Sequence, residues 1–206
     1  AHVANAPSVL VVGQGFPQGG ALDLIALLKK NPGKYNFGSS GIGTYPHLSA
    51  EMFKWRAGGL FVVHIPYRGT GLVVTDLIAG QITFLMDSIV SAQTHIKDGR
   101  VRALAVTGAQ RSGSLPDVPT FTELGVPGLA FSNWFGFFAP AGTPKDVVAR
   151  LHAASAKVLS VAELQQRFAA QGAEVVANTP DEALSMLKAD IVKWADVAKR
   201  SGAKID

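Results

Sequence analysis

The 206-residue sequence contains no cysteine, which rules out a disulfide framework and any metal site built on thiolates. It also lacks an apolar run of the roughly 18–20 residues that a membrane-spanning helix needs. Its longest runs, such as LFVVHI and SVLVV, have the length of buried strands. No block of like charge occurs: 19 Lys and Arg stand against 15 Asp and Glu, giving a net charge of +4. The basic residues are dispersed, from Lys29, Lys30, Lys54 and Arg56 to Lys199 and Arg200. The aromatic and basic interleaving of an RNA module is missing, so nucleic acid is not an expected partner. AHVANAPSVL has neither a basic start nor a long apolar stretch, so it is not a signal peptide, and export would require a targeting segment upstream. What the sequence does have is 48% hydrophobic content with 17% charge, enough for one core or two modest lobes of a soluble protein.

The first two thirds alternate between strand-like and helix-like segments. SVLVVG (8–13) reads as a strand, and GGALDLIALLKKNPG (19–33) as a helix with Leu22, Ile25, Leu27 and Leu28 on its apolar face. KYNFG is a strand, followed by a glycine-rich turn and a helix to about Ala57 with Leu48, Met52 and Trp55 as its buried stripe. Strands at LFVVHIPY, QITFLMD and VRALAVT then alternate with helices at 70–80 and 88–99. Steps of about 20 residues suit right-handed βαβ crossovers, so the expectation is an α/β fold with a mainly parallel, doubly wound sheet. After Thr107 the rhythm breaks into Gly- and Pro-rich loops around a short helix, then an apolar strand at 131–140. Helices follow at 144–158 and near 162–170, then a brief strand and a long last helix opened by Thr179, Pro180, Asp181 and Glu182. The composition shift near residue 130 marks the expected domain boundary.

NFGSSGIGTYPHL (36–48) is the most chemically suggestive stretch. Gly38, Gly41 and Gly43 allow close backbone approach, Thr44 suits an N-cap, and Pro46 falls in the first helical turn. A strand, a glycine turn and a helix start together offer unpaired N–H groups to an anion. A turn that merely starts a helix would look the same. No lysine follows the glycines, so a Walker loop is excluded; the G-x-x-G-x-G spacing also fails the dinucleotide fingerprint. Around Ser40 the second glycine comes one residue too early for a nucleophile elbow. What remains is a small-anion or carboxylate cradle.

Other strand ends are polar: PYRGT (66–70) carries Arg68, suited to a carboxylate or to a surface ion pair, and MDS (86–88) carries Asp87, suited to a ligand donor or to a helix cap. His47 lies in the first helical turn, facing either a ligand or Glu51. His47, His64, His95 and His152 show no metal-ligand spacing, and no cofactor is called for. Ser40, Asp87 and His95 occur in the order of an α/β-hydrolase triad, which keeps a serine hydrolase as the alternative reading.

Seven collinear stretches, NPGKYNFGSSGIGTYPHLSAEMF, HIPYRGTG, DLIAGQITFLMDS, HIKDGRVRALAVT, RSGSLPDVPTFTELGVPG, WFGFFAPAGTPKDVVARL and QGAEVVANTPDEA, cover nearly the whole chain. Together they resemble the Bug family of extracytoplasmic solute receptors, the substrate-binding proteins of tripartite tricarboxylate transporters. The resemblance implies a periplasmic-binding-protein type II-like architecture, periplasmic location, no catalysis, and two lobes closing on a small carboxylate. It implies membrane transporter subunits as partners. Residues 1–130 would be the second, ligand-binding lobe, and 131–206 the segment that completes the first lobe. By the same resemblance Ser39, Ser40, Gly41, Ile42, Gly43 and Thr44 hold the carboxylate, with His47, Tyr67, Arg68, Gly69 and Asp87 beside them. Tyr45 and Ile42 depart from the family's usual small or polar residues and would favour a partly apolar or aromatic acid. The first lobe's opening strands have no counterpart, so the apolar surface of 131–206 is expected to be covered by another copy of the chain or by a missing N-terminal fragment.

Overall fold

A computed structural model describes residues 1–203. Strand β1 (His2–Gly13) is twelve residues long and organises the fold. Its second half lies between β4 (Phe84–Ser88) and β5 (Val101–Val106), antiparallel to both. Beyond β4 come β2 (Asn36–Ser39) and then β3 (Val63–Pro66), giving the order β3-β2-β4-β1-β5. β2 runs parallel to β3 and β4, and β5 shares β4's direction because both oppose β1. Four of the five strands are therefore codirectional, as the crossover lengths predict. β1 is the exception, and its SVLVVG pattern carries no information on direction.

Side chains alternate across the sheet as a pleat requires. Leu10, Val12, Phe84 and Met86 point into one core, which Leu24, Ile25 and Leu28 of α1 (Ala21–Lys30) and Phe53 of α2 (Tyr45–Arg56) complete. Val9, Val11 and Leu85 point into the other core, closed by Val73 and Leu77 of α3 (Thr70–Ile78) and Ile89 and Ala92 of α4 (Ile89–Lys97). Helices thus cover both faces, which is the doubly wound arrangement. Two helical faces differ from the sequence reading. In α1 the inward residue is Leu24, and Leu22 is 50% exposed. In α2 Phe53 is fully buried, while Trp55 turns outward between the guanidinium groups of Arg56 and Arg200, 4.1 and 4.4 Å from its ring.

The first half of β1 belongs to a second, smaller sheet. Residues 2–7 pair antiparallel with β6 (Ser132–Gly136), and Ala4 and Asn5 also pair with β7 (Glu174–Val175). Residues 108–131 form turns rather than the short helix anticipated. Helices α5 (Lys145–Leu159), α6 (Ala162–Ala170) and α7 (Pro180–Ser201) follow. The start of α7 is as the sequence reads: Thr179 Oγ1 accepts the Glu182 N–H, and the Glu182 carboxylate accepts the Thr179 N–H. Its far end carries Trp194 and Val197 back to α2 and the main core. Among the described residues no helix is long and apolar enough to cross a membrane. Around the small sheet, Phe138, Leu151, Leu184 and Val192 are 71, 56, 49 and 72% exposed.

Candidate functional site

The codirectional strands bring their carboxyl ends, and the polar loops that follow them, to one end of the main sheet. β2 pairs with β3 in a register that sets Ser39 beside Pro66, and the Tyr67 N–H donates to the Ser39 carbonyl at 2.9 Å. β4 ends there at Asp87 and Ser88, and β1 passes that end with Ser8 opposite Ser88. Ser39–Thr44, Tyr67–Gly69 and Asp87 thus converge from three loops, the arrangement in which open α/β sheets take ligands.

The loop after β2 is tied to itself and to two histidines. Gly41 donates its N–H to Ser39 Oγ at 3.2 Å, and Ser39 Oγ lies 2.6 Å from His64 Nε2. Gly43 donates to His47 Nδ1 at 3.0 Å, which fixes His47 as the tautomer protonated on Nε2 when neutral. Thr44 is the residue before α2, but its hydroxyl does not cap the helix; it turns back to donate to the Gly41 carbonyl at 2.7 Å. Gly41 and Gly43 have φ of 139° and 74°, conformations that suit glycine. The N–H groups of Gly41, Gly43 and Thr44 are consequently occupied within the loop. Among the described residues, those of Ser40, Ile42, Tyr45 and His47 have no partner. Tyr45 and His47 lie in the first turn of α2, where unpaired donors favour negative charge, and Ser40 and Ile42 lie in the loop before it.

The surrounding residues divide by role. Arg68 is exposed and, among the described residues, makes no salt bridge. Gly69 precedes α3 at φ 112°. Tyr67 turns its hydroxyl to Asp76 Oδ2 at 2.7 Å; burial and that carboxylate push its pKa up to about 12. Asp87 is 4% exposed; one carboxyl oxygen accepts the Ser88 N–H at 2.8 Å and the other has no partner. Burial pushes this carboxyl up to about 6, against the pull of the Ser88 bond. Ile42 is 51% exposed beside the free donors. The Tyr45 ring packs edge-on to Phe131 and Trp194, and its oxygen accepts from Ser8 Oγ at 2.9 Å. Burial raises that phenol well above its ordinary value.

The triad suggested by residue order is not assembled. Asp87 bonds only to its own helix start, His95 lies in α4 with Nδ1 buried and unpartnered, and Ser40 makes no bond to either. The close Ser–His pair is Ser39 with His64, and Ser39 is fully buried, so it cannot meet a substrate. His64 itself was not singled out by the sequence. The alternation of VHIP signals only that it and Val63 face opposite sides, and the β2–β3 register is what delivers it to Ser39.

The family model described as "Tripartite tricarboxylate transporter family receptor" matches residues 1–203. BugT of Bordetella pertussis is 35% identical over 98% of this chain and 62% of its own length. A Pseudomonas protein encoded between tcbD and tcbE is 36% identical over 93% of this chain and 57% of its own. Among solved structures, a periplasmic transporter superimposes with a TM-score of 0.90 at 37% identity, covering 100% of this chain and 68% of that one. A Rhodopseudomonas palustris protein solved with adipate gives 0.90 at 32% identity, over 98% and 67%. MatC from the same organism, with bound malate, gives 0.86 at 28%, over 96% and 68%. The chain spans about 60% of the length of the two curated relatives named. With a match that runs from its first residue to Ala203, this chain belongs to the receptor family of the tripartite tricarboxylate transporters.

Proposed function

We propose that the chain captures a small carboxylate in the periplasm and presents it to the membrane subunits of a tripartite transporter. The observation that carries this reading is the set of unpaired N–H groups at Ser40, Ile42, Tyr45 and His47, at the start of a helix and among polar strand ends. Backbone donors suit a carboxylate, whose two oxygens accept several bonds without needing a facing lysine. Support also comes from the adipate and malate in the related R. palustris structures. Arg68 supplies an exposed cation at the rim, and the exposed Ile42 gives the acid's carbon chain an apolar neighbour.

In this reading residues 1–130 act as the ligand-binding lobe and 131–206 complete the other lobe. The exposed Phe138, Leu151 and Val192 then await a covering surface, from an N-terminal segment or a second copy. A thermal-shift series with adipate, malate and aromatic monocarboxylates tests the proposal. A bound acid is expected to raise the melting temperature progressively with concentration, because it binds only the folded state. The series should be run on this chain and on any longer product of the same reading frame. A flat response from every acid in both would overturn carboxylate capture.

A further inference from the structure

The two histidines beside the loop form a stacked pair. The His47 and His64 rings lie 3.9 Å apart and within 8° of parallel, and the Phe37 ring flanks the pair, 4.8 Å from His64 and 6.2 Å from His47. Each ring holds one end of the loop: His64 through Ser39, which takes the Gly41 N–H, and His47 through the Gly43 N–H directly. We propose that His47 and His64 are paired positioning residues whose uncharged rings hold residues 39–44 in the shape that leaves the Ser40 and Ile42 donors free, and that acidification releases this loop. The consequence for ligand release rests on the carboxylate reading, but the loop's response does not.

The chemistry follows from the donors. His47 Nδ1 serves Gly43 only while it is bare. Once protonated, it sets one N–H against another across 3.0 Å, and the tie is lost. The groups facing the stack are few. From α2 come Glu51, 4.0 Å from His47 Nε2, and Lys54, which lies 2.6 Å from Glu51 and 5.1 Å from the Phe37 ring. From β2 come Phe37 and Ser39, from β3 His64, and from β4 Phe84; the Phe37, Ser39 and Phe84 side chains carry no charge. Glu51 favours a proton on His47, while Lys54 opposes it and engages Glu51's carboxylate. Burial lowers both imidazoles below their ordinary 6.5, with His64 reaching about 4 because a protonated His47 and Lys54 also oppose its charge. The rings therefore titrate in sequence, His47 first. Because both folded values lie below the unfolded one, stability falls as pH drops from 6.5 toward 4.

Nuclear magnetic resonance on the ¹⁵N-labelled chain, titrated from about pH 8 to pH 4.5, reads this without any ligand. At neutral pH the His47 Nδ1 signal is expected to be that of a bare nitrogen, and the Gly43 amide should move with the same midpoint as that ring. His64→Phe keeps a flat ring in the stack but removes the partner of Ser39, so the Gly41 amide should already be displaced at neutral pH. In His47→Phe the Gly43 amide should no longer titrate, and adipate affinity at neutral pH should fall on the order of tenfold, the weight of roughly one lost tie. A Gly43 transition that persists in His47→Phe, or undiminished adipate-induced stabilisation of that variant, would overturn the positioning role. Normal loop titration with no adipate response in any form supports the loop inference and counts against the carboxylate reading instead.

Discussion

Phe37→Ala is expected to lower the unfolding free energy by about 3–5 kcal/mol, the usual cost of truncating a fully buried phenylalanine. Phe37 is 0% exposed and joins two systems. On one side its ring meets Phe84 at 5.6 Å, and through it Phe53, inside the main core. On the other side it carries the His64 and His47 rings, with Lys54 above. Alanine would leave a cavity where β2 meets β4 and would remove the ring that flanks both imidazoles. A typical domain has only about 5–15 kcal/mol to lose, so the variant should be marginal. Urea denaturation gives the free energy from the midpoint and slope. A loss below about 1 kcal/mol would mean that the site collapses around the truncation and that the stack does not depend on Phe37.

Asp87→Asn is expected to act in the opposite direction. Holding a carboxyl near 6 rather than 3.8 costs the folded state about 3 kcal/mol once pH is well above both values. The sign follows from linkage: the folded state binds the proton more tightly, so the charged form destabilises it as pH rises from about 4 through 6. Asparagine removes that cost. Its oxygen can still accept the Ser88 N–H, while its amide replaces an oxygen that has no partner, at a cost of about 1 kcal/mol for the unmatched donor. A net gain of about 2 kcal/mol is expected at pH 8, vanishing or reversing below pH 4. An unchanged difference between variant and wild type at pH 8 and below pH 4 would show that the Asp87 carboxyl keeps its ordinary proton affinity in the folded chain, as a solvated group does. A gain would mark Asp87 as an acid retained against stability, as expected of a group that serves a ligand.

The alternating elements were legible because each carries its own signal. Strand residues such as Leu10 and Phe84 sit in short apolar runs, and Thr179 with Glu182 fixes the start of α7 by purely local bonds. The glycine loop was legible in kind, since Gly41 and Gly43 need backbone freedom that few other residues have. Its internal wiring was not. Thr44 reads as a capping hydroxyl, yet it turns back to donate to the Gly41 carbonyl, and no local pattern decides which way it points. The His47–His64 stack depends on the parallel pairing of Phe37 with His64, a contact between distant segments that neither contains alone. Leu22 and Trp55 misled because their helices have apolar residues on more than one face, and only packing selects Leu24 and Phe53. AHVANAP carried least of all: its strand character exists only through partners about 130 and 170 residues away.

The shared strand ties the fates of the two sheets. β1 lies between β4 and β5 in one and between β6 and β7 in the other. Neither sheet can open at its centre without breaking a strand that is also interior to its neighbour. The amide hydrogens of Val9 to Val12 and of Ala4 and Asn5 should therefore exchange with solvent in one event, at the rate of whole-chain unfolding, while edge strand β3 exchanges by local fraying.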